Sequence, residues 1–356
     1  MISLQTKIAG VAALLAGALA WASPLSTRSR SLIPSDVRQI ISIDYRMAVK
    51  FDTAMLLKAE VLPDNLKAFE SALLTAGVRP DADLESLTFA SFDDRGIRKN
   101  KKDDPKQDLA MLGVAEGSFS PMNIATEIGL KKIVPTRHDK FDFYPLTKTM
   151  TLVVLDDHTL LMGTENALLT ALEVRDHRAS NVDSNLQLTK SAKLVEKSTV
   201  WSVLDAKGTK RMLVAALGKV KVPNFDSLQE HVLGSRYSMN FKETLRFKMD
   251  LSTTDMVSAA NLSSLLKLGV LYKKVTTNPA QKVAWDHLKV TVKKVVPDAD
   301  PADLKMEFKV NQPDFRKLLK AHCFDTSDEH RELAGVTSAP EDADLVRAKM
   351  ETAPKP

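Results

Sequence analysis

The residue types that could do acid–base or metal chemistry are scattered along this chain. The seven histidines are His138, His158, His177, His231, His287, His322 and His330, and only His322-Cys323 with His330 forms a dense group. His322 stands one turn past Phe315, Leu318 and Leu319, on the apolar side of a predicted helix, so a core or helix-end imidazole is expected there rather than a ligand. Asp156-Asp157-His158 sets two carboxylates beside an imidazole, but at the tip of a predicted hairpin, where a solvated turn explains them better than a catalytic dyad. Asp298-Ala299-Asp300 with Asp303 resembles a calcium loop but lacks its Gly and its terminal Glu. Pro80-Asp81-Ala82-Asp83 is a parallel case, and turn or cap duty accounts for both. No Gly-x-Ser-x-Gly elbow and no phosphate-cradling Gly-rich loop is present. The residues therefore assign no catalytic group, no metal and no cofactor. They point to binding or interaction, with an envelope-associated hydrolase built from distant residues as the alternative.

The elements that would carry any site read as follows. Met150–Arg175 spells strand (Thr151–Leu155), turn (Asp156, Asp157), strand (Thr159–Met162) and a helix capped by Thr164 that faces Leu168, Ala171 and Leu172 inward. Before it come a strand at Val37–Asp44, helices over 46–60 and 64–76, strands at Leu87–Phe92 and Leu109–Ala115, a helix opened by Ser120-Pro121, and a strand at Phe141–Pro145. The later chain repeats this order. Strands are expected at Val200–Asp205, Arg236–Phe241, Leu245–Leu251, His287–Val292 and Leu304–Val310, with helices over 207–217, after Pro223, over 255–272 and after Asn311. The fold class is thus α+β: two tandem, distantly similar copies of a β-α-β-β-α-β-β-α unit, with antiparallel sheets covered by helices. The expected boundaries are 35–180 and 185–322.

The segments LIPSDVRQIISIDY, WSVLD, SRYSMNF and SSLLKLGVLYKK, together with the leader, resemble a family of uncharacterised exported bacterial proteins. The resemblance runs from Ile33 to Ala321. It implies a signal peptide and a duplicated α+β fold, and it brings no catalytic motif.

The leader is read from Lys7, the apolar run Ile8–Ala20 and the small-x-small site Ala20-Trp21-Ala22, so residues 1–22 are expected to be removed, with an uncleaved membrane anchor as the alternative. No later run reaches the ~20 apolar residues of a membrane span. The mature chain is expected in the periplasm or outside the cell, with a linker over 23–34 and a largely disordered tail over 326–356. Cys323 is the only cysteine, which excludes an intramolecular disulfide. The formal charge of +5 is spread over Lys/Arg clusters interleaved with acids and free of stacking aromatics. That argues against nucleic acid and leaves an envelope component, a lipid or a protein as partner. The helix over 255–272 carries only Asp255 and Lys267 as charges. It is expected to be buried between the two copies, and its Met256, Leu262, Leu265 and Leu266 are the candidate interaction residues if one side is open.

Overall fold

The computed structural model describes residues 24–61, 64–93, 109–147, 150–217, 229–242, 244–276, 287–294 and 302–320. Runs rich in β-branched and aromatic residues become twelve strands. They are β1 Val37–Asp44, β2 Leu84–Asp93, β3 Leu109–Gly117, β4 Thr136–His138, β5 Phe141–Pro145, β6 Thr151–Asp156, β7 Thr159–Gly163, β8 Val200–Asp205, β9 Val232–Asn240, β10 Thr244–Thr253, β11 Leu288–Lys294 and β12 Ala302–Asn311. They form one sheet in the order β11-β12-β10-β9-β8-β1-β2-β3-β7-β6-β5-β4. Its neighbouring strands run antiparallel throughout, as in β1 with β2 and β8, and β10 with β9 and β12. Read outward from the β1–β8 pair, the order is β1, β2, β3, β7, β6, β5, β4 on one side and β8, β9, β10, β12, β11 on the other.

Eleven α-helices are described: α1 Thr27–Arg30, α2 Tyr45–Ala48, α3 Asp52–Val61, α4 Asp64–Thr75, α5 Pro80–Asp83, α6 Pro121–Leu130, α7 Glu165–Arg175, α8 Leu186–Lys193, α9 Ala206–Leu217, α10 Met256–Thr276 and α11 Gln312–Lys320. The caps foreseen in the sequence form. Ser120 Oγ accepts the Asn123 N–H at the start of α6, and Thr164 Oγ1 accepts the Ala167 N–H at the start of α7, each at 3.3 Å. The architecture is mixed α+β around a large antiparallel sheet.

Side chains alternate across the strands, so each strand feeds two layers. Around β2, β3, β6 and β7 both faces are covered. On one face Leu87, Phe89, Leu152 and Met162 pack under Phe69 and Leu73 of α4 and Ile124 and Ile128 of α6. On the other, Ile40, Ala90, Leu112 and Leu161 pack under Leu168, Ala171 and Leu172 of α7. This double cover explains why β7 (TLLMG) has every residue buried, with three consecutive apolar side chains rather than an alternating pattern. Around β9–β12 the described core lies on one face, where Leu251 and Leu304 meet Leu213 of α9 and Leu262 of α10.

The seam of the sheet is β1 against β8, with Ile41 opposite Ser202 and Ile43 opposite Val200. At one end of it Arg38 bonds Asp205 at 2.8 Å and Asp93 at 2.9 Å, and Lys207 reaches the same Asp93 oxygen at 2.9 Å. Burial pushes the Asp93 carboxyl up, but the hydrogen bonds from Lys207 and Arg38 outweigh it and hold the group below its ordinary range.

Three expectations need correction or fall outside the described residues. The segment over 23–34 is not a free linker. Leu25, Leu32 and Ile33 are buried in the core against the sheet, α1 forms within it, and Arg30 Nε donates to the Leu25 carbonyl at 2.9 Å. Three apolar side chains among polar ones are enough to dock it. The helix over 255–272 is α10, and its described part does not lie between the two halves of the sheet. It packs on β10, β11 and β12, with Ala259 and Leu262 buried and Val257 69% exposed. The leader, the tail over 326–356, Asp298, Asp300, Pro223, His322, Cys323 and His330 lie outside the described residues.

Candidate functional site

Apolar side chains left uncovered in a recess are the feature of this fold that asks for a partner. On the face sealed by α4 at one side and by α9 and α10 at the other, the cover thins over the β1–β8 seam. A cleft of about 190 Å³ opens there. Its floor is Ile41 and Ile43 of β1, Leu87 and Phe89 of β2, Val200 of β8 and Met239 of β9. The registers align these residues in rows: Ile43 faces Leu87 and Val200, Val200 faces Met239, and Ile41 faces Phe89. Alternation then sets them all on one face. Ala48 of α2 with Ala54, Met55 and Leu57 of α3 form the opposite wall, and Phe241 closes one end. Leu87, Phe89 and Phe241 are buried, while Ile41, Ile43, Met55, Leu57, Val200 and Met239 keep part of their surface open.

The sequence builds this wall locally. Asp44 ends β1 and caps α2, its carboxylate accepting the Met47 N–H at 2.9 Å. That cap turns the chain back over β1 within one helical turn. α3 then runs across the seam and meets α11, where Arg316 pairs with Asp52 at 3.3 Å.

One polar group of three sits at the rim. Tyr45 Oη donates to Glu70 Oε1 at 2.6 Å, and Lys58 Nζ donates to Tyr45 Oη at 2.9 Å and also to Glu70. Burial, then the hydrogen bond to Glu70, pushes the Tyr45 phenol well above its ordinary value, so it stays protonated as a donor. The lysine and the glutamate, the two charges that line the cleft, neutralise each other, and Asp81, outside the lining, lies 3.6 Å from the same lysine. The rim therefore offers no net charge to a ligand, and the floor offers hydrocarbon. Such a site suits an uncharged apolar group; it holds no base beside a free nucleophile.

The groups weighed from sequence are placed elsewhere. His158 Nδ1 lies 3.0 Å from the Gly117 carbonyl oxygen, and the His158 N–H donates to Asp156 at 2.8 Å, so this trio builds its turn. Asp303 is buried and bonds Arg236 and, at 2.7 Å, Ser252. Asp83 accepts the Arg79 N–H at 2.7 Å. His231, Thr254, Asp255 and Ser258 do converge at the start of α10. However, Thr254 Oγ1 and Ser258 Oγ each donate to Asp255 Oδ2 at 2.8 Å, and the Ser258 N–H donates to Oδ1 at 2.8 Å. That is a helix cap whose hydroxyl protons are spent on the carboxylate, the reverse of an activated serine. Among the described residues no group of three or more His, Cys, Asp or Glu could hold a metal ion. Of the candidate interaction residues, Leu262 is buried against Leu213, Leu251 and Leu304, Leu266 packs beside it, and Met256 and Leu265 are half-buried. None of the four lines the cleft.

No family model matches the chain, and no curated protein matches it. It is similar to a solved structure titled "Structure of crystal form I of TP0453", at 8% identity and a TM-score of 0.46, over 86% of this chain and 99% of that one. Among the described residues no helix is long and apolar enough to cross a membrane.

Proposed function

We propose that this is an exported, non-enzymatic binding protein of the cell envelope, which takes an uncharged apolar group into the cleft over the β1–β8 seam. The observation that carries the reading is an apolar floor drawn from β1, β2, β8 and β9 with a charge-neutral rim. A recess of convergent apolar side chains with a few fixed polar groups is the usual form of a small-molecule site. Its volume of about 190 Å³ exceeds the ~150 Å³ void that accommodates a benzene ring. It therefore suits a ring or the end of an acyl chain rather than a whole lipid. The export step rests on the leader over residues 1–22.

The same proposal includes a duplicated α+β unit. Its support is the strand order β1, β2, β3, β7, β6 set against β8, β9, β10, β12, β11, the first series being extended by β5 and β4, which have no counterpart in the second among the described residues. Each series has a helix-bearing connection after its first and third strands and a helix after its last. On this reading the cleft sits where the two copies meet edge to edge.

The test uses N-phenyl-1-naphthylamine, an uncharged dye that fluoresces in apolar surroundings. The parent is expected to bind it saturably. Ile43→Glu on the floor and Met55→Glu on the wall are expected to lose that binding while keeping a cooperative thermal transition. A parent that leaves the dye dark, or folded variants that bind it like the parent, would overturn the proposal.

A further inference from the structure

The opposite face of the second half of the sheet points to a different ligand, and this inference does not rest on the cleft. Along β10 (TLRFKMDLST) Leu245, Phe247, Met249 and Leu251 turn toward the core, so Arg246, Lys248, Asp250 and Ser252 turn away from it. Register brings the matching residues of the neighbouring strands beside them. Lys248 faces Glu307 of β12 and Ser238 of β9, Glu307 faces Lys289 of β11, and Asp250 faces Lys305 and Arg236.

A solvated face on an antiparallel sheet is ordinary, and three observations separate this one from that default. First, it is concave. A recess of about 500 Å³ lies on it, walled on one side by the chain leaving α8 at Leu194, Val195 and Ser198. Second, its charge is one-sided. Arg236, Arg246, Lys248, Lys289 and Lys305 line it against two carboxylates, Asp250 and Glu307. Third, those carboxylates are already engaged. Asp250 pairs with Arg236 at 3.1 Å and with Lys305 at 3.8 Å, and Glu307 pairs with Arg246 at 3.4 Å. Lys248 and Lys289 flank Glu307 on the two adjacent strands, and neither makes an ion pair or hydrogen bond among the described residues.

We infer that this recess binds a small multivalent oxyanion of the oligophosphate class. Charge complementarity carries the inference: lining cations exceed lining carboxylates, and the two exposed lysines are free to meet oxygen atoms as point charges. Among the described residues no aromatic side chain lines the recess to stack a nucleobase. The wall at Leu194–Ser198 favours a compact free anion over a flat membrane surface.

The experiment titrates the folded protein with sodium tripolyphosphate by calorimetry at low ionic strength. A parallel arm measures cosedimentation with phosphatidylglycerol vesicles. Saturable tripolyphosphate binding is expected, weakening as salt rises. Lys248→Gln and Lys289→Gln should each weaken it about fivefold, the effect of one unit charge at contact distance in a water-like dielectric. Glu307→Gln, which removes the carboxylate between them, should tighten it. Lys132→Gln, in the turn after α6 and outside the recess lining, should leave it unchanged. Absence of binding by the parent would overturn the inference, as would equal losses at Lys132 and Lys248. Vesicle binding that depends on Lys248 and Lys289 without any tripolyphosphate binding would overturn it as well.

Discussion

Gly113→Ala tests how tightly the first half of the sheet is packed beneath α4. Gly113 sits in β3 between Phe89 of β2 and Met162 of β7. Its backbone is in a region that any residue adopts, so alanine brings no conformational strain. What it brings is a methyl group 2.5 Å from Cε1 and 2.8 Å from Cδ1 of Phe69. That ring is 2% exposed and is held edge-to-face against Phe89, with centroids 4.7 Å apart at 74°. It has no free side to swing into, so helix and sheet must part by several tenths of an ångström. Overpacking of this kind costs about 1–3 kcal/mol. Against that, replacing a strand glycine with alanine recovers roughly 0.4–1 kcal/mol through the unfolded chain. The expected net loss is about 1–2 kcal/mol, read as a lower urea midpoint at unchanged slope. The decisive measurement is the cycle with Phe69→Leu. The smaller side chain leaves room for the methyl group, so Gly113→Ala should be neutral or stabilising in that background, giving a coupling of about 1 kcal/mol or more. An equal cost of Gly113→Ala in both backgrounds would refute the reasoning.

Two further outcomes are expected. Leu262→Asp buries an unpaired carboxylate against Leu213, Leu251 and Leu304 and should abolish the cooperative transition, whereas Val257→Asp on the exposed side of α10 should shift the melting temperature little; equal effects would show that α10 is misplaced. The cap of α10 should be pH-sensitive: hydrogen bonds from the Ser258 N–H, the Ser258 hydroxyl and the Thr254 hydroxyl pull the Asp255 carboxyl from 3.8 down to about 2. A pKa lowered by folding stabilises above the unfolded value and is lost as pH falls through the folded one, so Asp255→Ala should be less stable than the parent at pH 7, with the gap closing as pH falls from about 4 to about 2; a gap that stays constant would refute this assignment.

Much of the sheet was legible because its strands are long runs of β-branched and aromatic residues between turn formers. The bounds of Val37–Asp44, Phe141–Pro145 and Val200–Asp205 are those expected from sequence. Elements with little apolar patterning were missed. β4 is three residues with no buried side chain, and α8 buries only Leu188 and Ala192 of its eight. The expected linker misled because its polar composition hides Leu25, Leu32 and Ile33, whose burial is decided by distant strands. The sparse charge of α10 misled in the other sense, by suggesting burial all round. Ala259 and Ser263 are buried while Ala260 and Ser264 are exposed, a division that composition does not record. The cleft was illegible for a non-local reason. Ile41 and Ile43 read as ordinary core positions, and only the pairing of β1 with β8 and the path of α3 leave them partly open. Gly113 was a missed local signal, since a glycine inside a strand often marks a close approach.

The two proposed sites use opposite faces of the same strand, which makes them separable by construction. β9 gives Met239 to the cleft, and Arg236, Ser238 and Asn240 to the recess. Strand alternation permits this division, and the β8–β9 register fixes it, with Val200 opposite Met239 and Trp201 opposite Ser238. A slip of one residue would exchange the two sets, setting arginine and asparagine over the apolar floor and methionine among the lysines. Trp201, 1% exposed and packed in the core on the recess side of β8, fixes the facing of β8 itself, because a one-residue slip of β8 would drive its indole from the core. The packing that holds the fold in register is thus the same packing that keeps the two proposed sites on separate faces. Charge changes at Lys248 or Lys289 therefore leave the cleft intact, and a glutamate at Ile43 leaves the recess intact.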